Sequence, residues 1–349
     1  MMTPWGYPDF DAHEALHVVT DAASGLRAII AMHSTHLGPA AGGTRFWHYA
    51  DAADALTDAL RLSRGMSYKN AMAGLPLGGG KAVILAGADR AKTPELLAAF
   101  GCAVDWLGGH YVTAEDVGMS VADMIAIRQQ TRFVAGLPAE GGEVGGDPGP
   151  YTSLGVFLGI KAAVRRALDK DSLVGLHIAL QGAGSVAGGV ARLAAAEGAR
   201  LSIADVDQGR VKRLASETGA AIVSPDDILS LEADVLSPCA LGAILTEQSI
   251  AALNTPIVAG GANNQLATRE DGQRLAARGI LYAPDYVINA GGIINVSTEY
   301  LDDGDASLVR RRIEAIPGRL DVIWAESAAT GRDPAAVADA MAQKLIGRG

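Results

Sequence analysis

Residues 176–189, "LHIALQGAGSVAGG", narrow the fold of this chain more than any other stretch. An apolar run of strand length stops at glycines, and the glycines open a segment with helical spacing. This strand–turn–helix order, with Gly182-x-Gly184-x-x-Ala187 at the turn, has the form of a dinucleotide-binding βαβ unit. Gly182 makes the tight turn, Gly184 lets backbone approach a pyrophosphate, and Ala187 lets the helix pack on the strand. Ser185 and Val186 fall in the helix's first turn. Asp205 ends the next apolar run, "RLSIADVD", where a carboxylate would accept hydrogen bonds from a ribose hydroxyl and repel a 2′-phosphate. NAD is therefore expected over NADP. A Rossmann-shaped domain without a bound nucleotide is the alternative.

The rest of the chain extends this pattern. "QGRVKRLASETG", "AAIVS", "ADVLSPCA", "TPIVAGGANN" and "GILYAPDYVINAGG" continue the alternation of helix and strand, which implies a parallel sheet. Upstream, "LHVVTDAASGLRAIIAMHS" reads as a hairpin. It is followed by the helical "DAADALTDALRLSRGM", with Leu56 and Leu60 on one face, and then "KAVIL", "PELLAAFGCAVDWL", "HYVTAEDVGMS" and "SVADMIAIRQQ". A chain of 349 residues is too long for one core, so two domains are expected. The Gly/Pro-rich 135–152 is the best hinge. The expected domains are 1–138, an α/β substrate domain with a mixed sheet, and 139–330, a Rossmann NAD-binding domain, with a cleft between them. The last helix, within 331–349, is expected to pack back towards the first domain.

Charge and composition exclude several classes. A net charge of −10 argues against nucleic acid as a partner. No apolar run approaches the ~18 residues of a membrane span. The start has early acids and no basic region, so no signal peptide is expected and the chain should be cytoplasmic. Two distant cysteines support neither a disulfide framework nor a zinc site. His13/His17 and His33/His36 have suggestive spacings, but they fall in the hairpin region without a third ligand, so no metal is expected.

Lys69 and Lys81 are the only charged side chains between Gly65 and Ala88. Gly78, Gly79 and Gly80 place Lys81 beside bare backbone just before an apolar strand. A lysine so placed loses water and its pKa falls, and a second cation, Lys69, would push it further down. Such a lysine can pass protons or polarise an oxygen. Asp116, in "TAEDVG", ends a strand and could take a proton from an amine. Singly, a lysine here could snorkel to water and the acid could cap a turn. Beside a cofactor cleft, a catalytic group is the stronger reading.

In these residues the chain resembles the glutamate/leucine/phenylalanine/valine dehydrogenase superfamily, most of all its leucine and phenylalanine branch. The matching stretches are "LGPAAGGTRF", "GMSYKNAMAGLPLGGGKAVI", "YVTAEDVGMS", "QGAGSVAGG", "ADVLSPCALGAIL", "IVAGGANNQL" and "LYAPDYVINAGGIINV". They occur in family order and cover most of the chain. The resemblance implies that Lys69 holds the substrate α-carboxylate. It implies that Lys81 activates water and steadies the carbinolamine oxygen, and that Asp116 exchanges protons with the amine. It also implies that Gly42, Gly43 and Met66 line the substrate, that Asn263 and Asn289 lie near nicotinamide and substrate, and that Cys239 and Ala240 border the cofactor. The implied reaction is reversible oxidative deamination of an L-amino acid to a 2-oxo acid and ammonia. A homo-oligomer assembled through the first domain is implied as well.

Where glutamate enzymes of this superfamily carry a lysine, this chain has Ala41, and where they carry a serine it has Val296. An apolar wall disfavours a charged side chain. Ala41, Ala114, Ile293 and Val296 are the pocket candidates, and a branched aliphatic, leucine-like substrate is expected. An aromatic substrate, phenylalanine or tryptophan, is the alternative, because a small residue at Ala41 deepens that wall. A catalytically silent NAD-binding sensor and an imine reductase of similar frame are the remaining rivals. The presence of Lys81 and Asp116 speaks against the first, and Lys69 against the second.

Overall fold

A computed structural model describes residues 3–88, 91–138, 144–301 and 305–348. The chain forms two compact units. One comprises Met1–Gly146, Val296–Ala306 and Ala342–Gly349; the other comprises Asp147–Asn295 and Ser307–Met341. The fold is mixed α/β with two sheets, as the sequence pattern implies.

In the first unit the strands β1 (Ala15–Asp21), β2 (Leu26–Ser34), β3 (Ala40–Trp47), β4 (Gly78–Leu85) and β5 (Tyr111–Glu115) form one sheet in the order β1-β2-β4-β3-β5. β1 and β2 are the expected hairpin. β2 is antiparallel to β4, while β3 is parallel to both β4 and β5, so the sheet is mixed. Helix α1 (Ala52–Met72) covers one face; α2 (Pro94–Trp106) and α3 (Val121–Arg128) pack together elsewhere in this unit. Alternation along the strands divides the core. Ile30, Ala82 and Ile84 join Phe100 and Met124 on one side, while Ile29, Ala31 and Val83 meet Ala55 and Ala59 of α1 on the other.

Two local expectations change. α1 runs on to Met72, so Lys69 lies in its last turn. The glycines before Lys81 do not merely precede the apolar strand but are the opening residues of β4. The reason is close packing: a Cβ on Gly79 would stand 2.0 Å from the Ser67 backbone nitrogen of α1. The bare strand lets the helix settle onto the sheet.

The second unit contains β6 (His177–Gln181), β7 (Arg200–Ala204), β8 (Ala221–Ile222), β9 (Val235–Pro238), β10 (Ile257–Val258) and β11 (Leu281–Tyr282). Their order is β11-β10-β9-β6-β7-β8, with every pair parallel. Counted within this unit, that is the doubly wound order 3-2-1-4-5-6, whose direction reverses between β6 and β9. The helices are α4 (Gly149–Leu168), α5 (Ser185–Ala196), α6 (Gln208–Thr218), α7 (Glu247–Ala252), α8 (Glu270–Ala277), α9 (Asp285–Ile288), α10 (Gly291–Leu301), α11 (Ala306–Glu314), α12 (Ile316–Thr330) and α13 (Pro334–Leu345). α10 and α13 both start in the second unit and end in the first.

The segment 135–152 is not loop throughout. α4 begins at Gly149 with Pro150 in its first turn, where a fixed φ suits a helix start. Residues 139–143 of the expected hinge lie outside the described residues. On the near side, Gly136 N–H donates to Glu299 Oε2 at 2.7 Å. Within "GILYAPDYVINAGG" the strand is Leu281–Tyr282 alone, and α9 follows Pro284.

Two of the four hairpin-region histidines, His13 and His33, form a buried network. His13 and His33 meet edge to face, with ring centroids 4.8 Å apart. His13 Nε2 contacts the Leu60 carbonyl and Ser63 Oγ, and His33 Nδ1 contacts Ser67 Oγ at 2.8 Å. Arg348 Nη1 donates to His33 Nε2 at 2.8 Å, which fixes that nitrogen as an acceptor. Burial pushes His13 down to about 4, with the Leu60 carbonyl opposing and His33 adding to the fall. The unfolded ring protonates near its ordinary value and the folded one only near 4. The unfolded state therefore gains protons first, and stability falls as the pH drops between those values, by about 3 kcal/mol at most. Urea denaturation near neutrality and at about pH 4.5 checks this, and His13→Gln is expected to lose less stability over the same interval.

Candidate active site

Period-two alternation brings residues of three strands to one face. Val83 of β4 packs towards α1, so Gly79 and Lys81 share that face. Gly79 is paired with Ala41 and Val83 with Arg45, so Ala41, Gly43 and Arg45 of β3 point the same way. Ala41 is paired with Val112 and Gly43 with Ala114, which adds Val112, Ala114 and then Asp116 from β5 and its end. Gly42 lies between the same neighbours, where a Cβ would come within 1.8 Å of the Gly80 carbonyl oxygen.

Lys81 is 5% exposed, and its Nζ lies 2.8 Å from Asp116 Oδ2. Burial pushes the ammonium below its ordinary value; Asp116 opposes the fall and Arg45 adds to it. Arg45 is a cation that presses on Lys81, one the sequence did not point to. Asp116 is held below the usual carboxylate range: burial raises it, but Lys81 and Arg45 outweigh burial. Arg45 Nε donates to the same Asp116 Oδ2 at 3.0 Å and its Nη1 to Asp58 Oδ2 at 2.8 Å. Tyr49 OH donates to that Asp58 oxygen at 2.7 Å. Arg45, Asp58 and Tyr49 were missed from sequence. Arg45 sits in the "GGTRF" stretch, but nothing local ties it to Asp58 on α1.

Lys69 is half-buried in the last turn of α1, where a cation also suits the helix dipole. The next residue, Asn70, donates from Nδ2 to the Gly78 carbonyl at 2.6 Å, fixing this end of α1 to the start of β4. Met66, on the same helix, reaches β3, since its Cγ would lie 3.1 Å from a Cβ on Gly42. Ala41, Ala114 and Val296 share one apolar cluster with Leu77, Val112 and Ala135. Ile293 is half-buried one turn earlier on α10, outside that cluster and in the second unit.

The second unit collects the cofactor candidates at the reversal of its sheet. Gly182, at φ 114°, turns the chain after β6. A Cβ there would meet Ala240 at 3.1 Å, and Cys239 N–H donates to the Gln181 carbonyl at 2.7 Å. A Cβ on Gly184 would meet nothing within 4 Å, so its face is open, and no side chain caps the N-terminus of α5. Ala187 is fully buried, while Ser185 and Val186 line the first turn. Asp205 Oδ2 accepts Ala183 N–H at 2.7 Å and Oδ1 accepts Asp207 N–H at 2.9 Å, fixing the carboxylate beside the glycine turn. Asn289, 2% exposed, donates from Nδ2 to Asn263 Oδ1 at 2.8 Å and to the Gly261 carbonyl at 3.1 Å. Its Oδ1 is buried without a protein partner. An open anion cradle, a fixed acid and an orphaned buried amide oxygen fit a nicotinamide dinucleotide. Burial pushes the Cys239 thiol up, and its Sγ accepts Gly261 N–H at 3.3 Å.

Residues 13–133 match the family model described as the Glu/Leu/Phe/Val dehydrogenase dimerisation domain, and residues 201–314 match Glutamate/Leucine/Phenylalanine/Valine dehydrogenase. The chain belongs to the glutamate/leucine/phenylalanine/valine dehydrogenase family. As a member of that family it is an amino-acid dehydrogenase, acting on the CH–NH2 group of its donor, and the family is NAD(P)-dependent. The chain is 45% identical to leucine dehydrogenase of Bacillus subtilis (strain 168) over 337 residues, covering 96% of this chain and 92% of that protein. It is 43% identical to valine dehydrogenase of Streptomyces albus, covering 97% and 94%. The structure of L-tryptophan dehydrogenase from Nostoc punctiforme superposes with a TM-score of 0.84 at 41% identity, covering 96% of each chain.

Proposed function

We propose that this dehydrogenase carries out NAD-dependent, reversible oxidative deamination of a branched aliphatic L-amino acid, with leucine as the reference substrate. The carrying observation is the pair of buried Lys81 and half-buried Asp116, 2.8 Å apart, on the sheet face that also holds Ala41 and Ala114. When bound, NAD⁺ accepts the hydride from the substrate Cα. Lys69 pairs with the α-carboxylate and fixes the Cα. Asp116, kept ionised by its two cations, takes a proton from the substrate ammonium. Lys81, whose burial favours the neutral amine, takes a proton from the water that adds to the imine carbon, and the ammonium so formed steadies the developing oxygen. Ammonia leaves and the 2-oxo acid remains. The balance is amino acid, NAD⁺ and water giving oxo acid, ammonium, NADH and a proton.

The apolar cluster of Ala41, Val112, Ala114, Ala135 and Val296 favours an uncharged side chain. The small methyl of Ala41 also supports a second reading, an aromatic substrate, in keeping with the tryptophan enzyme's likeness. NADH formation with a panel of L-amino acids decides between them. Leucine, valine or isoleucine as best substrate supports the proposal; activity confined to phenylalanine or tryptophan transfers it to the aromatic reading; and no turnover with any of them overturns both.

NAD is favoured over NADP because the Asp205 carboxylate stands fixed beside the Gly184 turn. A cavity of about 450 Å³ at that turn is also lined by Arg210 and Arg213. Asp205→Ser removes the repelling charge and leaves those cations, so the NAD-to-NADP ratio of kcat/KM is expected to fall by at least about tenfold. An unchanged ratio would remove Asp205 from the selectivity argument. Assembly into a homo-oligomer through the first unit and a cytoplasmic location complete the proposal. Among the described residues no helix is long and apolar enough to cross a membrane.

A further inference from the structure

Two cations converge on one oxygen of Asp116. Lys81 Nζ is 2.8 Å from Oδ2 and Arg45 Nε is 3.0 Å from the same atom. We infer that Arg45 is a positioning residue for the deamination: its fork fixes the Asp116 carboxylate for the substrate amine and sets a permanent charge beside Lys81, on the oxygen the two cations share. The inference rests on the dehydrogenase reading above and adds a residue to it.

Arg45 is itself clamped on two sides. Nε holds Asp116 and Nη1 holds Asp58, two different nitrogens of one planar group, so the guanidinium cannot rotate without losing a bond. Tyr49 OH, on the same Asp58 Oδ2, steadies the far end. A lysine has no such fork and could satisfy only one of these carboxylates at a time. Charged groups that act on Lys81 include Asp116 after β5, Arg45 on β3 and Asp58 on α1, and Lys69 stands on the same helix as Asp58; Tyr49 bonds to Asp58, and Tyr111 of β5 lies near Asp116. A permanent cation beside a buried amine is unfavourable for the ammonium form. An ion pair serving stability alone would be complete with Asp58 and would not need to crowd a second cation onto the Lys81 partner. Burial and Arg45 together thus hold Lys81 below the ordinary lysine range, against the pull of Asp116.

The test uses the full chain with Arg45→Gln and Arg45→Lys. Cyanate reacts with the neutral amine only, so the pH dependence of Lys81 carbamylation, read by peptide mass spectrometry, reports Lys81 directly and without turnover. The pH profile of kcat/KM with leucine and NAD⁺ is measured alongside, with NADH binding as the check of folding. In Arg45→Gln the carbamylation midpoint and the acid limb of the profile should both move to higher pH, by about one unit. Arg45→Lys should restore the midpoint but keep kcat at least about tenfold low, because the fork is lost. A midpoint unmoved in Arg45→Gln overturns the inference, as does a rate loss with an unmoved acid limb. If Arg45→Gln does not fold, Arg45→Lys decides: a low kcat with the wild-type midpoint supports the inference, and a kcat within about twofold of wild type overturns it. A wild-type chain that turns over no amino acid would sink the functional reading, while carbamylation would still judge the role of Arg45.

Discussion

Lys81→Ala is expected to bind NADH normally and to lose at least about 10⁴-fold in kcat. Two contributions vanish together. The amine that takes the proton from water is gone, and so is the cation that steadies the oxygen formed on Cα. The fold should tolerate the change: Asp116 keeps Arg45 at 3.0 Å, so its carboxylate is not stranded. The proposed dinucleotide cradle around Gly182, Gly184 and Asp205 lies in the other unit. Lys81→Arg should not rescue, because a guanidinium does not release a proton in the working range. Steady-state NADH formation with leucine, paired with fluorescence titration by NADH, measures both halves. A variant within tenfold of wild type would remove Lys81 from the chemistry and return it to the role of a buried counter-ion for Asp116.

The second large effect concerns stability. Gly79→Ala places a methyl 2.0 Å from the Ser67 nitrogen and 2.2 Å from its Oγ. Neither neighbour can move cheaply, since both belong to α1 where it packs on β4 and where Ser67 meets His33. The helix must lift from the sheet, at a cost of about 4 kcal/mol or more. Because α1 carries Met66 and Lys69 and β4 carries Lys81, any soluble protein should also show a raised KM for the amino acid. Urea midpoints and KM values, compared with Gly65→Ala, separate this from a general effect of adding a methyl. No atom lies within 4 Å of a Cβ at Gly65, so that variant should be nearly neutral.

Much of the fold is local in origin and could be read from the chain. Period-two runs gave the hairpin, and Gly182-x-Gly184-x-x-Ala187 gave the first strand–turn–helix of the Rossmann unit. Ser120 and Asp123 cap α3 reciprocally, an ordinary helix-start signal. The errors were also local ambiguities. "GGGK" suits a turn as well as a strand, and only the approach of Ser67 shows why bare backbone is needed in β4. The Gly/Pro-rich approach to α4 reads as loop until Pro150 is seen in a helical first turn.

The candidate site divides in the same way. Lys69, Lys81, Asp116, Ala41, Ala114 and Val296 could be named from residue type and motif, and the structure brings Lys81 to Asp116 and gathers Ala41, Ala114 and Val296 into one cluster. Arg45, Asp58 and Tyr49 could not be named, because their meaning lies in pairing. Asp58 on α1 meets a guanidinium from β3, which meets a carboxylate beyond β5. Strand register decides those meetings, and register is a property of how distant segments pair. Sequence alone determined the elements, the two-domain plan and the chemical types available, since these follow from backbone preferences and the spacing of apolar residues. The tertiary structure decided which charges share an oxygen and how dry they are, because electrostatic coupling depends on distance and solvent rather than on position along the chain.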